Sequence, residues 1–344
     1  MTASLLPQYW YIVGESCELA KDKVLACQIL DEWLVCYRDE NGTAVIAQDR
    51  CLHRCARLSG GTVRQGKLTC GYHGWVYGKG GRVESIPSEN DHGHAAGRAL
   101  SAKTYQALEQ DGYVYVCLAP GVKTPHSPRP LINRNMGRRG HVRLRNDFKN
   151  SLANCVENYI DVPHTAYVHH GIFRKPVGHD LRTTVARKNG EVHIAYSGET
   201  FNLGSFSWFL NPHGKEVVHT DHFYAPNITS VHYQLPCGFQ YSITSQSVPM
   251  SGMETRVHTD IYYDFGFWTP FVGWLVRKQA QTVIGQDIAI LNQQGETILK
   301  YGERFCSTSA DAIHSLIGEI IENLKQGRDP TELSVEEREI VFRV

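Results

Sequence analysis

Residues 51–73 read Cys51-Leu52-His53, sixteen intervening residues, then Cys70-Gly71-Tyr72-His73. Each half of this stretch pairs one thiol with one imidazole, as C-x-H and then C-x2-H. That is the ligand set of a [2Fe–2S] cluster in which one iron takes two thiolates and the other takes two imidazoles. Exchanging two thiolates for neutral imidazoles removes negative charge and raises the potential above that of all-cysteine ferredoxins. Glycines follow the first half at Gly60-Gly61 and lie within and after the second at Gly71 and Gly74, so two opposed loops are expected to clamp the cluster. The competing reading is a structural Cys2His2 zinc site. Zinc fingers place two cysteines first and two histidines second on a ββα unit. Here each half mixes the two residue types, and Gly74-Trp75-Val76-Tyr77 continues as strand.

The chain has 344 residues, 42% hydrophobic and 20% charged, with 35 basic against 35 acidic side chains. Its length fits two domains or one large one. Zero net charge gives no electrostatic footprint for nucleic acid or for an anionic membrane. No basic n-region followed by an apolar stretch opens the chain. No run approaches the ~18 apolar residues of a membrane helix. The ten cysteines show no framework spacing outside the motif, so free thiols in a reducing compartment, the cytoplasm, are expected.

Residues 8–118 alternate short strands with glycine turns, which argues for a compact all-β domain. Pro120, Pro125, Pro128 and Pro130 then mark an extended linker, placing the boundary at 125/126. Asn146 to Ile160 reads as helix, from Leu152, Val156 and Tyr159/Ile160. Residues 189–263 return to strands, and two helices follow: one over 274–299, and one carrying Ile313, Leu316, Ile317, Ile320, Ile321 and Leu324 on a single stripe before Gly327 and Pro330. The second half is therefore expected to be an α+β domain.

A second constellation follows the first of these helices: Glu157-Asn-Tyr-Ile-Asp161-Val-Pro-His164, then His169-His170. Two imidazoles and one carboxylate on one face of iron form the triad of non-haem Fe(II) oxygenases, which leaves positions open for O2 and substrate. His164 and His169 are the expected ligands, with His170 as the alternative to His169. The third ligand is expected from Asp287, because an unpaired carboxylate on an otherwise apolar-faced helix would be expensive. Asp260 and Asp264 compete for that role and read as residues of solvated strand ends. Asp161 is assigned to orienting His164. Asn154, Glu157 and Asn158 are further candidates for the surroundings of the site, and Phe265-Gly-Phe-Trp-Thr-Pro-Phe271 reads as either pocket lining or core.

Taken together, Cys51-x-His53, Cys70-x2-His73, Glu157-x3-Asp161-x2-His164-x4-His169 and Gln286-Asp287 through Gln293-Gln294 resemble the Rieske non-haem iron oxygenases. The opening Gln8-Tyr-Trp-Tyr and Tyr72-His-Gly-Trp75 belong to the same likeness, which runs nearly end to end. It implies an N-terminal all-β Rieske [2Fe–2S] domain over 1–125 and an α+β helix-grip catalytic domain over 126–344. It also implies a mononuclear Fe(II) held by His164, His169 and Asp287, and O2 as cosubstrate. The substrate would be small, aromatic or cyclic, and hydroxylated or oxidatively demethylated. Electrons would come from an external NAD(P)H-dependent ferredoxin or flavin reductase, since no flavin or nicotinamide site is legible. The active unit would be a homotrimer in which one subunit's cluster serves the next subunit's iron, from His73 through Asp161 to His164. Alternatives are a desaturase or oxidative cyclase on the same fold, or an electron carrier without oxygenase chemistry. Departures from the family pattern fall at Cys55, where glycine is common and a small buried loop residue is expected, and at Phe148, where tryptophan is common.

Overall fold

The structure, a computed structural model, describes residues 6–89, 100–119, 128–131, 140–169, 180–200, 211 and 214–343. The chain divides into two compact units, one over residues 4–130 and one over 131–344. The expected boundary at 125/126 lies outside the described residues.

The first unit is all β, with strands β1 (Trp10–Glu15), β2 (Leu25–Ile29), β3 (Glu32–Arg38), β4 (Ala44–Gln48), β5 (Thr62–Arg64), β6 (Lys67–Thr69), β7 (Val76–Tyr77), β8 (Val83–Ser85), β9 (Thr104–Gln110) and β10 (Tyr113–Cys117). They form a six-stranded sheet, β1-β10-β9-β4-β3-β2, and a four-stranded sheet, β5-β6-β7-β8. Val35, Tyr37 and Ala47 of the larger sheet share one core with Val63, Leu68, Tyr77 and Val83 of the smaller. Cys51, Leu58 and Cys70 join that core, so the loops β4–β5 and β6–β7 are anchored in packed side chains rather than projecting freely. The two loops also touch backbone to backbone. A Cβ on Gly61 would stand 2.1 Å from the Thr69 carbonyl oxygen, so only glycine fits there.

The second unit is an eight-stranded antiparallel sheet in the order β11-β17-β16-β15-β14-β13-β12-β18. Its strands are β11 (Gly140–Phe148), β12 (Asp180–Lys188), β13 (Glu191–Ser197), β14 (Val218–Tyr224), β15 (Ile228–Gln234), β16 (Gln240–Ser251), β17 (Glu254–Asp264) and β18 (Glu336–Arg343). Among the described residues three α-helices, α1 (Leu152–Asn158), α2 (Gly273–Tyr301) and α3 (Ala312–Lys325), accompany it. Val142, Leu144 and Phe148 of β11 pack with Val257, Ile261 and Tyr263 of β17 against Val276, Ala280, Ile284 and Leu291 of α2. The amphipathic stripe expected on the last helix is buried throughout, from Ile313 to Leu324. At about 25 cal/mol per Å2 of apolar surface, each of those side chains contributes roughly 1.5–3 kcal/mol of burial.

Two expectations need correcting here. Asn146–Phe148 is strand, not helix, because Asn146, Asp147 and Phe148 continue the ladder to β17. The helix begins only at Leu152, where Ser151 accepts the amide of Asn154 as N-cap. Asp260 is not at a solvated strand end: it lies inside β17, fully buried, accepting from Arg143 Nε at 2.8 Å and paired with His141 Nε2 at 2.7 Å. The closing edge strand β18 has no strong signal in the sequence, since alternation there is diluted by Glu336, Glu337, Arg338 and Glu339. No described helix is long and apolar enough to cross a membrane.

Candidate metal centres

The two knuckles of the first unit are built on the same backbone scheme. Cys51 N–H donates to Ala56 O at 2.8 Å and Cys55 N–H to Cys51 O at 3.0 Å. In the second knuckle Cys70 N–H donates to Trp75 O at 2.9 Å and Gly74 N–H to Cys70 O at 3.1 Å. Cys55 and Gly74 thus hold equivalent places, and both are left-handed, at φ 57° and 72°. A glycine is the ordinary solution at such a place. Cys55 is exposed, not buried as expected, because the left-handed turn aims its side chain outward from the loop.

Both knuckles present their ligand atoms to a common space. Cys51 and Cys70 are buried, and the His53 and His73 rings stand 4.5 Å apart, edge to face. His53 is fixed by Trp75, stacked at 5.1 Å with an interplanar angle of 4°. Its Nδ1 is buried with no hydrogen-bond partner among the described residues, an arrangement a ligated iron would satisfy. Burial, aided by His73 and Arg54, pushes the His53 imidazole below its usual pKa, toward the neutral form that binds metal. Burial pushes the Cys70 thiol up, so its thiolate needs a cation for company. Tyr77 completes the setting. Its oxygen accepts the Leu52 N–H at 2.9 Å, which leaves its own proton to donate to Cys51 Sγ, 3.2 Å away. Asp49, buried, pins the first loop by accepting Ser59 N–H, Ser59 Oγ–H and Arg57 Nε–H at 2.6, 2.6 and 2.7 Å.

In the second unit His164, His169 and Asp287 converge, with one ligand atom from each lying within 4.8 Å of the others. His164 sits on a short 3-10 turn, Pro163–Ala166, rather than on an α-helix; Asp287 projects from the buried face of α2. Asp287 Oδ1 is 3.5 Å from His164 Nε2 and 3.2 Å from His169 Nε2. Each imidazole uses its other nitrogen outward. His164 Nδ1 meets Asp161 Oδ2 at 3.2 Å and His169 Nδ1 meets Gln286 Oε1 at 2.9 Å. With Nδ1–H donated in both rings, both Nε2 lone pairs face the same point as the carboxylate, as a metal site requires. Burial works against a charged His164, yet Asp161 and Asp287 outweigh it and hold the ring's pKa up to about 9. The same negative field favours a divalent cation. Asp287, although burial opposes its charge, is held below the usual carboxylate range by the two histidines.

The remaining candidates separate cleanly. Asn158 reaches the site, with Nδ2 at 3.5 Å from Asp287 Oδ1. Asn154 does not: its amide donates to Asn150 Oδ1 at 2.8 Å, and Asn150, fully buried, donates onward to Leu291 O and Gln294 Oε1. This network ties α1 to α2, as does Gly295, where a Cβ would lie 2.0 Å from the Lys149 carbonyl oxygen. Glu157 points elsewhere, onto His314 Nδ1 at 2.5 Å. His170 lies outside the described residues. Of the aromatic run, Phe265 packs on Tyr263 and Phe239, whereas Phe267, Trp268 and Phe271 are exposed rather than core. Phe148 is ordinary core, edge-on to Tyr159. Gln286, which orients His169, carries part of the family likeness in the sequence, but no role for it could be read there.

An all-β unit with a mixed thiolate–imidazole loop pair, followed by an α+β unit with two imidazoles and a carboxylate on one point, defines the architecture of a two-centre iron protein. Residues 9–106 match the Rieske [2Fe-2S] domain, and residues 149–324 match the vanillate O-demethylase oxygenase C-terminal domain. The chain belongs to the Rieske non-haem iron oxygenase family. Similar proteins include the chlorophyllide a oxygenase of Arabidopsis thaliana, 27% identical over 49% of this chain and 30% of that protein. The vanillate O-demethylase oxygenase subunit of Pseudomonas sp. (strain HR199 / DSM 7063) is 31% identical over 46% of this chain and 44% of its own. The chain spans about a third to a half of the length of the curated relatives it matches. Among solved structures, dicamba monooxygenase bound to dicamba superposes with a TM-score of 0.81 at 20% identity, covering 94% of this chain and 98% of that one. The QL mutant of Pseudomonas putida CBB5 NdmA with theobromine gives 0.78 at 19%, covering 96% of both. These two likenesses are of fold.

Proposed function

We propose that this chain is the terminal component of an oxygenase that hydroxylates or oxidatively demethylates a small ring-bearing substrate. The carrying observation is that His164, His169 and Asp287 converge in a chain that also carries the Cys51, His53, Cys70 and His73 loops. An electron carrier needs the loops alone and has no use for a second, buried triad.

A Fe(II) at the triad supplies O2 reduction and insertion of oxygen into a C–H bond, with overall balance RH + O2 + 2 e− + 2 H+ giving ROH + H2O. Asp161 and Gln286 fix the tautomers and orientations of His164 and His169. Asn158 is placed to donate to Asp287 and steady the carboxylate. The electrons come from a separate NAD(P)H-dependent reductase or ferredoxin, in a homotrimer where Asp161 couples His164 to the neighbouring subunit's cluster. The thiol usage suits a reducing compartment such as the cytoplasm. The relatives bear the names of ring substrates, vanillate and toluene-4-sulfonate among them, which supports a substrate of that size.

Anaerobic reconstitution tests the reading. It should give a red-brown protein with about two irons and two sulfides in the cluster and about one further iron per chain. With a surrogate reductase, O2 uptake should depend on substrate, and label from 18O2 should enter the product. Stoichiometric zinc in a colourless protein would refute the cluster. Product formation without label would leave the desaturase or cyclase reading instead.

A further inference from the structure

The turn that leads into α2 carries a feature that neither the triad nor the cluster loops use. Phe267, Trp268, Phe271 and Trp274 are 76%, 49%, 61% and 69% exposed. Phe267 meets Trp268 edge to face at 5.6 Å and Phe271 at 5.8 Å, so three of the rings form one knob. Trp274 follows in the first turn of α2. Exposed apolar side chains scattered singly are ordinary, whereas a contiguous group of large rings marks an interaction surface.

The knob is held from beneath. Phe265 and Val272, at its two ends, pack against the core of β11, β17 and α2. Thr269, buried, accepts the Phe265 amide at 2.8 Å, and Asp264 accepts the Gly266 amide at 2.8 Å. Backbone bonds from Thr269 N–H to Gly266 O and from Phe271 N–H to Trp268 O close the turns between the rings. The rings are therefore displayed on a fixed backbone, and little further ordering is needed when they are covered.

Charge decides what covers them. Residues 265–286 hold two cations, Arg277 and Lys278, and no acid, a local imbalance that the zero net charge of the whole chain conceals. Both cations lie one turn beyond Trp274, at i+3 and i+4, and so share its side of α2. Both are exposed, and neither is paired with an acid among the described residues. The helix opens without a side-chain cap, so its first amides add positive field at the same end. Asp264, the nearest acid before the knob, is engaged by Gly266 and Thr269. Large aromatic rings beside Arg and Lys are the side chains that settle at the boundary between lipid headgroups and acyl chains.

We infer that this knob docks the protein on an anionic membrane surface. Phe267, Trp268, Phe271 and Trp274 enter the interfacial layer, and Arg277 and Lys278 meet the lipid phosphates. The contact is peripheral and stands apart from the oxygenase reading, because no metal ligand takes part in it.

Vesicle flotation of the metal-loaded protein at low ionic strength tests it. Vesicles of phosphatidylcholine and phosphatidylglycerol in equal parts should carry the protein up the gradient. Pure phosphatidylcholine should need at least about tenfold more lipid for half-binding, since each cation near an anionic surface is worth roughly fivefold. Phe267→Ser/Phe271→Ser/Trp274→Ser should abolish flotation. Arg277→Gln/Lys278→Gln should cost about tenfold on the anionic vesicles and less than about twofold on the neutral ones. Leu299→Ser/Tyr301→Ser, at the other end of α2 and equally exposed, should float like the unmodified protein. Light scattering follows the oligomeric state of each variant. Unmodified protein that stays off anionic vesicles, an aromatic variant that still floats, or a basic variant with its lipid preference intact would each overturn the inference. So would an aromatic variant that loses its oligomeric state, which would assign the knob to a contact between copies of the chain. The basic variant leaves every ring in place and decides the matter if the aromatic one does not fold.

Discussion

The two candidate metal centres are made in opposite ways. The cluster loops draw all four ligands from the stretch between Cys51 and His73, and each knuckle is closed by its own pair of backbone hydrogen bonds. The triad takes two histidines from the turn after α1 and its carboxylate from α2, far downstream. Its geometry exists only because Asn150 and Gly295 lock α1 and α2 together. A local site is specified by spacing and turn chemistry, whereas an assembled site is specified by packing. The first should tolerate disruption of the distant core, and the second should not.

The largest expected effect breaks the comparison outright. His169→Ala and Asp287→Ala should each abolish oxygenation, a loss beyond the roughly 100-fold of outer changes, while cluster absorbance survives. His53→Ala should do the reverse, removing the cluster's colour while the triad keeps its iron. Metal analysis with electron paramagnetic resonance separates the two. Loss of both irons in either variant would mean the centres are not independently built.

Asp161 comes next, because it belongs to the assembled site and, in the proposed trimer, couples it to a neighbour's cluster. Asp161→Ala should leave both metals largely bound yet cost more than the ~10–100-fold of ordinary second-sphere changes. Stopped-flow absorbance should show a reduced cluster that O2 and substrate fail to reoxidise. Mixing Asp161→Ala with His73→Ala subunits should restore some activity, since an intact cluster can then face an intact iron. No recovery in rings shown by mass spectrometry to be mixed would remove the cross-subunit route.

Legibility followed the same division. The proposed cluster ligands could be named from spacing alone, and the glycine at position 61 agrees with the tight approach of the loops. His164 and His169 could be named from their spacing after Asp161, whereas Asp287 could be named only because a carboxylate on an apolar helix face needs a reason. Their partners were half visible. Asp161 shares a local stretch with His164, but Gln286 meets His169 through tertiary packing and carries no periodic signal. Asn154 and Glu157 lay in the motif-bearing stretch yet serve helix packing and a His314 contact. The strand ending at Phe148 read as helix because Leu152, Val156 and Ile160 cast their period backward past the Ser151 cap. A smaller effect probes this hidden partner: Gln286→Leu should weaken iron binding by about 10–100-fold without touching the cluster, measured by chelator competition.

The smallest effect sharpens the comparison from the local side. Tyr77 is placed to tune the cluster, as donor to Cys51 Sγ, because Leu52 N–H already occupies its oxygen. A hydrogen bond to a thiolate stabilises the reduced cluster, which carries the extra negative charge, more than the oxidised one. Tyr77→Phe keeps the buried ring and removes only that donor. A hydrogen bond worth on the order of 1 kcal/mol corresponds to about 40 mV for one electron, so the potential should fall by a few tens of millivolts. Protein-film voltammetry measures this directly, with iron and sulfide content unchanged. Removing the Tyr37 hydroxyl, which donates to Gly78 O at 3.3 Å and touches no ligand, provides the control. A Tyr77→Phe potential equal to that of Tyr37→Phe would show that the hydroxyl serves loop packing and not the cluster. A larger fall in Tyr77→Phe alone would show that the local site is tuned, as well as built, from within its own loops.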